Sequence, residues 1–314
     1  MNIYHSYTAF FKTNKTSIVT IGTFDGVHIG HQEIIKNLVE TANKNQAESV
    51  ILTFFPHPRM VLQKDSGIKL LNTIDEKIEL LEKTGLKHLV IIPFTKEFSR
   101  LTALDFTRDI LVSSLRTKKL VIGYDHHFGR NREGNFEQLQ EYGKTYQFDV
   151  EEIPAQDIKD ITVSSTKIRK ALEDGAIEKA NAYLGYNYML SGVVIKGKAL
   201  GRQYKYPTVN IRIEEEYKLI PKSGVYVVET TFDNKPFFGI MNIGNRPTVD
   251  GKTTTIEVHL LDFDKNLYGE KIKIGVLKRI RDEQKFDTVA LLFKQIKKDE
   301  AVARQLINSG AISN

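Results

Sequence analysis

A short strand pattern that runs through three glycines into a helix pattern constrains this 314-residue chain more than any other feature. Residues 18–21 are all β-branched and predict a buried strand. Gly22, Gly26 and Gly30 interrupt the next stretch, and from residue 34 apolar side chains recur at helical spacing. The sequence therefore predicts a strand, a tight turn and a helix, which together form the first unit of a parallel α/β sheet.

Two histidines, His28 and His31, lie at the predicted start of this helix. Their spacing places both on one face of a helical turn. Backbone N–H groups and the positive end of the helix dipole meet there, which suits a phosphate. Imidazole N–H donors can stabilise the charge of a transferred phosphoryl group. An ordinary helix start is the alternative, but the strand–turn–helix context favours phosphate. Neither a P-loop nor a G-x-G-x-x-G pattern occurs.

Composition excludes several classes of protein. The chain has no cysteine, so disulfide and thiol chemistry are excluded, and it has neither a secretory signal pattern nor an apolar run of membrane-spanning length. We therefore expect a cytoplasmic protein. The net charge of +6 comes from residues 187–314, because residues 1–186 carry equal numbers of basic and acidic side chains. Anionic phosphate substrates account for this charge, and without an RNA-binding or helix-turn-helix motif we expect no nucleic-acid partner.

Strand and helix patterns alternate along the first half of the chain. Strand patterns cover 50–55, 89–92 and 120–122, and helix patterns cover 74–84 and 103–115. This alternation predicts the α/β class with a doubly wound parallel sheet. Ligands of such sheets bind beyond the carboxyl ends of the strands.

Several candidate ligand residues follow predicted strand ends. Pro56, His57 and Pro58 follow the second strand, and two prolines there can shape a pocket wall, although a plain loop is the alternative. Asp125 follows the fourth strand in the glycine-containing segment 123–134. We therefore expect both loops near the bound ligand.

A second phosphate-type element lies further along the chain. Ser164, Ser165 and Thr166 precede a helix pattern whose first turn carries Lys167 and Arg169. Hydroxyls can cap the helix, and together with its free N–H groups and a guanidinium they can also bind a triphosphate. An ordinary cap with surface cations is the alternative.

The second half of the chain has a different pattern. Six β-rich runs separated by turn residues predict an antiparallel barrel, followed by a helix over 286–307. We predict two domains, 1–186 and 187–314, because the helical patterning stops at their boundary. Two polar segments are expected to form hairpin turns: Asp233-Asn234 and Asp264-Lys265-Asn266.

The motif GTFDGVHIGHQ at 22–32 resembles the opening signature of the prokaryotic FAD synthetases, the bifunctional riboflavin kinase/FMN adenylyltransferase family. Segments 53–58, 123–134 and 164–169 are similar to the family's flavin-side loop, nucleotide loop and S-S-T-x-I-R element. The resemblance implies a Rossmann-like nucleotidyltransferase domain that transfers AMP from MgATP to FMN, which gives FAD and pyrophosphate.

The resemblance also implies a role for each matching residue. His28 and His31 would stabilise the transferred phosphate. The flavin would contact Pro56, His57 and Pro58. ATP would be bound by a set drawn from several segments: Gly22, Phe24, Asp125, Ser164, Ser165, Thr166 and Arg169.

The barrel resembles a riboflavin kinase domain, because 207–210 match its P-T-x-N motif and 242–248 match its N-I-G-x-R-P-T motif. By this resemblance, Thr208 and Asn210 hold Mg²⁺ and ATP phosphates, and Glu257 is the general base that activates the 5′-hydroxyl of riboflavin. On its own, an acidic residue between apolar neighbours is also typical of the solvent face of a strand.

One loop of the barrel departs from the family pattern. Ala199 and Lys205 replace expected glycines, and Lys198 replaces an expected aspartate. A side chain in such a loop can strain it or reshape it. Two alternatives to a bifunctional enzyme therefore stay open: a monofunctional adenylyltransferase whose barrel binds flavin or acts as a scaffold, and a non-enzymatic flavin-sensing regulator.

Overall fold

The computed structural model describes residues 1–12, 15–63, 67–123, 127–153, 163–196, 206–248, 251–310 and 312. The chain divides into two compact units: the first contains Met1–Leu70 and Ile74–Ser164, and the second contains Leu71–Thr73 and Ser165–Asn314. Among the described residues, no helix has the length and apolar character needed to cross a membrane.

The first unit is built on a six-stranded parallel sheet with the order β1-β4-β3-β2-β5-β6. Its strands are β1 (Asn2–Tyr4), β2 (Ser17–Ile21), β3 (Glu48–Phe54), β4 (His88–Ile92), β5 (Thr117–Gly123) and β6 (Asp149–Ile153). The predicted parallel α/β sheet is confirmed. The edge strands β1 and β6 were not predicted, because one is very short and the other, DVEEI, lacks an apolar run.

The strand order places the first Gly-rich turn at the centre of the sheet. From β2 the chain moves outward through β3 and β4, and it later returns to β5 on the other side of β2. The order therefore reverses between β2 and β5, and ligands of open α/β sheets bind at such a switch point. All five residues of β2 are buried, which fixes this strand and the position where it ends.

Helices of the first unit contribute buried side chains, such as Phe10 and Leu139, to a core that includes the apolar strands of the sheet. These helices are α1 (Tyr7–Phe11), α2 (Ile29–Lys44), α3 (Pro58–Leu62), α4 (Ile74–Glu82), α5 (Ala103–Asp105) and α6 (Phe136–Tyr146). The predicted helix at 103–115 begins as α5 but continues as a π-helix, Phe106–Ser114. Ser113 and Ser114 donate to the carbonyls five residues earlier, Arg108 and Asp109, which fits the wider π turn.

The second unit is a closed antiparallel barrel with the order β10-β11-β8-β7-β12-β9. Its strands are β7 (Tyr188–Ile195), β8 (Val209–Arg212), β9 (Gly224–Phe232), β10 (Lys235–Thr248), β11 (Gly251–Leu260) and β12 (Lys271–Arg281). Three helices complete the unit: α7 (Ser165–Asp174), α8 (Ile177–Leu184) and α9 (Val289–Asn308). The predicted barrel and its C-terminal helix are confirmed.

The two predicted hairpin turns have different outcomes. Asp233 and Asn234 have φ angles of 50° and 60° and join the paired strands β9 and β10, as expected for a two-residue hairpin. The prediction for Asp264–Asn266 is wrong, because β11 and β12 are not neighbours in the barrel. Polar residues mark a change of direction, but the partner of the next strand depends on closure of the whole barrel. The final helix begins at Val289, later than predicted, because Thr288 caps it.

Candidate active sites

The turn after β2 has an unusual backbone. Phe24, Gly26 and Val27 have φ angles of 46°, 88° and 35°, all in the left-handed region. Residues with a Cβ rarely adopt this region, whereas glycine adopts it readily. Observed strain of this kind is found at functional sites, where the surrounding structure holds it in place. The turn ends at His28, the N-cap of α2.

The imidazole rings of His28 and His31 stack on each other, with centroids 3.6 Å apart and planes inclined by 17°. The Nδ1 atom of His28 accepts a hydrogen bond from the backbone N–H of His31 at 3.3 Å. Because Nδ1 is the acceptor, the proton of the neutral His28 ring is on Nε2, which is therefore a donor. The buried Nδ1 of His31 has no hydrogen-bond partner among the described residues.

Both histidines are neutral near pH 7. Burial lowers the pKa of His28 to about 4, although the carboxylate of Asp25 opposes the shift. Burial also lowers the pKa of His31 well below its ordinary value, and His28 when protonated and the charge of Lys77 lower it further. The pair therefore offers N–H donors without a permanent charge.

Two further predicted ATP-binding residues pack around this pair. The buried ring of Phe24 lies edge-on to the His31 ring, with centroids 5.1 Å apart. A Cβ added to Gly22 would lie 3.0 Å from the Phe24 ring, a tight contact. In the structure, Gly22 therefore makes room for Phe24, and Phe24 packs against His31.

The predicted flavin-side loop begins at the carboxyl end of β3. Pro56 is exposed, and His57 and Pro58 are half-buried. His57 caps α3, because its Nδ1 accepts from the backbone N–H of Arg59 at 3.1 Å, and Pro58 is the first residue of that helix. The loop therefore has a defined conformation at the ligand edge of the sheet.

The predicted phosphate-binding hydroxyls lie at the start of α7. Ser164 immediately precedes this helix, and Ser165 and Thr166 are its first two residues. Ile168 is buried, whereas Arg169 in the same turn is half-buried. Helix α7 belongs to the second compact unit and the histidine turn to the first. Their joint binding of ATP stays a prediction.

In the barrel, three polar side chains form a row across adjacent strands. Glu257 on β11 is directly opposite Asn210 on β8 and Asn242 on β10. Residues directly opposite in a sheet share one face, and all three are half-buried. Ile256 and Val258, on either side of Glu257, are buried and lie on the opposite face of the strand. The sheet register thus places the predicted general base between two side-chain amides.

The segment before β8 is also held in place. His259 Nδ1 lies 2.8 Å from the carbonyl oxygen of Pro207, which can only accept a hydrogen bond. The ring of Tyr206 packs between His259 and Phe293, with centroid distances of 5.2 and 5.9 Å. These contacts fix the chain immediately before Thr208, which is half-buried and directly precedes β8.

Each half of the chain matches a known protein family. The FAD synthetase family pattern matches residues 10–167, and the riboflavin kinase pattern matches residues 184–307. The bifunctional riboflavin kinase/FMN adenylyltransferase of Buchnera aphidicola subsp. Schizaphis graminum is 40% identical over 301 residues, 95% of this chain and 96% of that one. The protein of the same name from Escherichia coli K12 is 38% identical and covers 92% of each chain.

This chain belongs to the bifunctional riboflavin kinase/FMN adenylyltransferase family. A crystal structure described as a macrolide-efflux protein from Streptococcus pneumoniae has the same fold, with a TM-score of 0.87, 31% identity, and coverage of 96% of this chain and 98% of that one. The similarity of fold therefore extends over nearly the whole chain.

Some predicted positions of this family member lie outside the described residues. These are Asp125 in the nucleotide loop, and Lys198, Ala199 and Lys205 in the departing loop of the barrel. The described part of the nucleotide loop is compact, because Phe128 is buried and pairs with Gly134 through two backbone hydrogen bonds.

Sequence reasoning missed two features of the first unit. Lys77 on α4 is 4% exposed, and its Nζ donates to the carbonyl oxygen of Thr23 at 2.7 Å. The sequence feature that could have identified it is the position of this lysine on the apolar stripe of an amphipathic helix. The rings of Phe54, Phe94 and Phe98 form a half-buried cluster with centroids 5.6 to 5.7 Å apart. The sequence signal for this cluster was an aromatic residue, Phe94, two positions after the end of β4.

Proposed function

We propose that this protein makes FAD from FMN and ATP, and FMN from riboflavin and ATP. The stacked, neutral pair His28 and His31 at the start of α2 supports the first activity most strongly. A phosphate placed there meets helix N–H groups and the Nε2–H of His28. We also propose a cytoplasmic location, because the substrates are ATP and free flavins and the chain has no cysteine.

In the proposed AMP transfer, a phosphate oxygen of FMN attacks the α-phosphorus of ATP. The bond to the oxygen that bridges the α- and β-phosphates breaks, and pyrophosphate leaves. The protein supplies no nucleophile, so its tasks are positioning and electrostatic stabilisation. Neutral N–H donors suit the reaction because their hydrogen bonds strengthen as negative charge spreads over the transferred phosphoryl group.

Further groups would hold the substrates of this step. We assign Gly22, Phe24 and Asp125 to the nucleotide, and the start of α7 to the ATP phosphates: Ser164, Ser165, Thr166 and Arg169. The flavin is assigned to Pro56, His57 and Pro58, beside the half-buried phenylalanine cluster at the same sheet edge. An apolar aromatic surface suits the flat flavin ring.

In the proposed kinase step, Glu257 accepts the proton of the riboflavin 5′-hydroxyl as that oxygen attacks the γ-phosphorus of ATP. The bond to the oxygen that bridges the β- and γ-phosphates breaks, and ADP leaves. The amides of Asn210 and Asn242 flank this carboxylate. Thr208 and Asn210 supply oxygen donors of the type that Mg²⁺ prefers, alongside nucleotide phosphates and water. Bound there, Mg²⁺ would neutralise phosphate charge.

We assign AMP transfer to residues 1–186 and riboflavin phosphorylation to residues 187–314. The compact units divide instead at Ser164, so α7 and α8 group with the barrel. Expression of 1–186 alone tests the assignment: we expect a folded fragment that retains part of the FAD synthesis from FMN. A folded but inactive fragment would show that the barrel contributes to this site.

The decisive experiment incubates the purified chain with MgATP and either FMN or riboflavin, and it separates the flavins by chromatography. We expect FAD from FMN, and FMN followed by FAD from riboflavin. FAD from FMN without FMN from riboflavin would indicate a monofunctional adenylyltransferase. Flavin binding without either product would indicate a sensor.

A further inference from the structure

Lys77 is a buried cation without a role in the reaction described so far. It lies on α4, it is 4% exposed, and its ammonium donates to the carbonyl oxygen of Thr23 at 2.7 Å. A buried ammonium is costly unless its surroundings compensate it. Here the compensating groups are the Thr23 carbonyl and the buried carboxylate of Asp25, and both belong to the turn that precedes His28.

The carbonyl that Lys77 contacts begins the strained part of this turn. Phe24 and Val27 have left-handed backbone angles, and their side chains are both buried. Such a backbone persists only where surrounding groups hold it. Side chains bind the turn at both ends: Lys77 and, at 3.4 Å, Thr53 donate to the Thr23 carbonyl, and Gln32 donates to the Val27 carbonyl at 2.9 Å.

The same ammonium acts electrostatically on the histidine pair. Among the described residues, the charged or titratable groups that act on His31 are His28 and Lys77, and both lower its pKa. Asp25 acts in the opposite direction on His28 and on Lys77. Because this cluster is buried, each charge is weakly screened and affects its neighbours strongly.

We propose that Lys77 is a positioning residue of the adenylyltransferase site, whose ammonium holds the strained turn through Thr23 and places a buried positive charge near His31. It acts through the turn and the histidine pair rather than by contact with substrate. The charge of Lys77 adds to the effect of burial, which keeps His31 unprotonated in the resting site. This inference rests on the proposed FAD synthesis and names a further residue for it.

The test compares Lys77→Met, Lys77→Gln and Lys77→Arg in the full-length chain. Lys77→Met removes the charge and the donor, Lys77→Gln keeps an N–H donor without charge, and Lys77→Arg keeps both. Lys83→Met is the matched control, because Lys83 follows the same helix and its exposed side chain pairs only with Glu79 among the contacts of the described chain. Each variant is assayed for FAD from FMN and for FMN from riboflavin.

We expect kcat for FAD synthesis to fall about 10-fold or more in Lys77→Met and Lys77→Gln, the scale of a misplaced catalytic group. KM values for ATP and FMN should change much less. Lys77→Arg should recover part of kcat. Lys83→Met should match the wild type, and FMN formation from riboflavin should be unchanged in every variant, which excludes unfolding of the barrel. Unchanged KM values for ATP and FMN exclude unfolding of the first unit.

The second measurement is the titration of the histidine imidazoles by NMR in the wild type and in Lys77→Gln. Removal of the ammonium should raise the pKa of His31, because a repulsive charge disappears. A residue that only packs would leave this titration unchanged. If Lys77→Met does not fold, Lys77→Gln and Lys77→Arg alone decide the comparison.

Wild-type kcat in Lys77→Gln, or an equal loss in Lys77→Gln and Lys77→Arg with an unchanged His31 titration, would overturn the proposal. Absence of FAD synthesis in the wild type would instead overturn the proposed function. The two failures are therefore distinguishable in one set of assays.

Discussion

The two candidate sites of this chain are built in different ways. In the first unit, the buried His28 and the half-buried His31 lie beside a strained turn, and a buried cation and carboxylate accompany them. In the barrel, Asn210, Glu257 and Asn242 are half-buried and aligned by strand register. The first site depends on burial and on charges that compensate each other, whereas the second depends on the pairing of three strands.

Because of this difference, we expect the two sites to respond differently to substitutions. A buried site responds to any change of charge in its surroundings, because the local dielectric is low. A half-buried row on a barrel wall is partly screened by water, and its function depends more on the loops that complete it. The following experiments separate the two cases.

The largest effect is expected for Glu257→Gln, which keeps the shape of the side chain but removes its basicity. FMN formation from riboflavin should fall by roughly 100-fold to 10,000-fold, the range for loss of a general base. FAD formation from FMN should be unchanged. Chromatographic assay of both products checks this, and a kinase rate near that of the wild type would remove Glu257 from the role of base.

The reciprocal effect is expected for His28→Ala and His31→Ala. FAD formation from FMN should fall by about 100-fold or more in each, the scale for loss of a transition-state donor. Riboflavin phosphorylation should remain, because the row in the barrel is intact. Steady-state rates of both reactions provide the measurement, and near-normal FAD synthesis in both variants would refute the central assignment.

The buried histidine should also make stability depend on pH. The pKa of His28 is about 4 in the folded protein, against an ordinary value of 6.5, so the unfolded chain binds more protons between these values. This contribution is complete above about pH 6.5 and is lost as the pH falls towards 4, about 3 kcal/mol in all.

Thermal unfolding followed by circular dichroism at several pH values checks this expectation. The wild type should lose stability between pH 6.5 and 4 more steeply than His28→Gln, which lacks the titrating group. Parallel curves for the two proteins would mean that His28 is not buried in its neutral form.

The smallest effect is expected in the barrel loop, where Ala199 and Lys205 stand at positions for which the sequence resemblance predicts glycine. If strain in this loop limits the kinase, Ala199→Gly with Lys205→Gly should raise FMN formation by up to about 10-fold. FAD formation from FMN serves as the internal control. An unchanged kinase rate would show that this loop tolerates both side chains, and a decrease would indicate that Lys205 supplies a useful cation.

The sequence alone determined the local parts of this structure. The β-branched run, the glycines and the apolar spacing predicted the strand, the turn and the helix, and the spacing of His28 and His31 placed them on one face. The six β-rich runs likewise predicted the strands of the barrel. These features follow from periodicity over a few residues, so no distant contact is needed to predict them.

Only the tertiary structure decided which groups meet. Lys77 reaches the Thr23 carbonyl from a helix more than 50 positions away in the chain, and Glu257 pairs with Asn210 through strand register. Failure of the predicted hairpin at 264–266 has the same origin, because closure of the barrel selected the partners of β12. Burial keeps both histidines uncharged. It depends on the packing of the whole unit, so the residues next to each histidine in the sequence do not determine it.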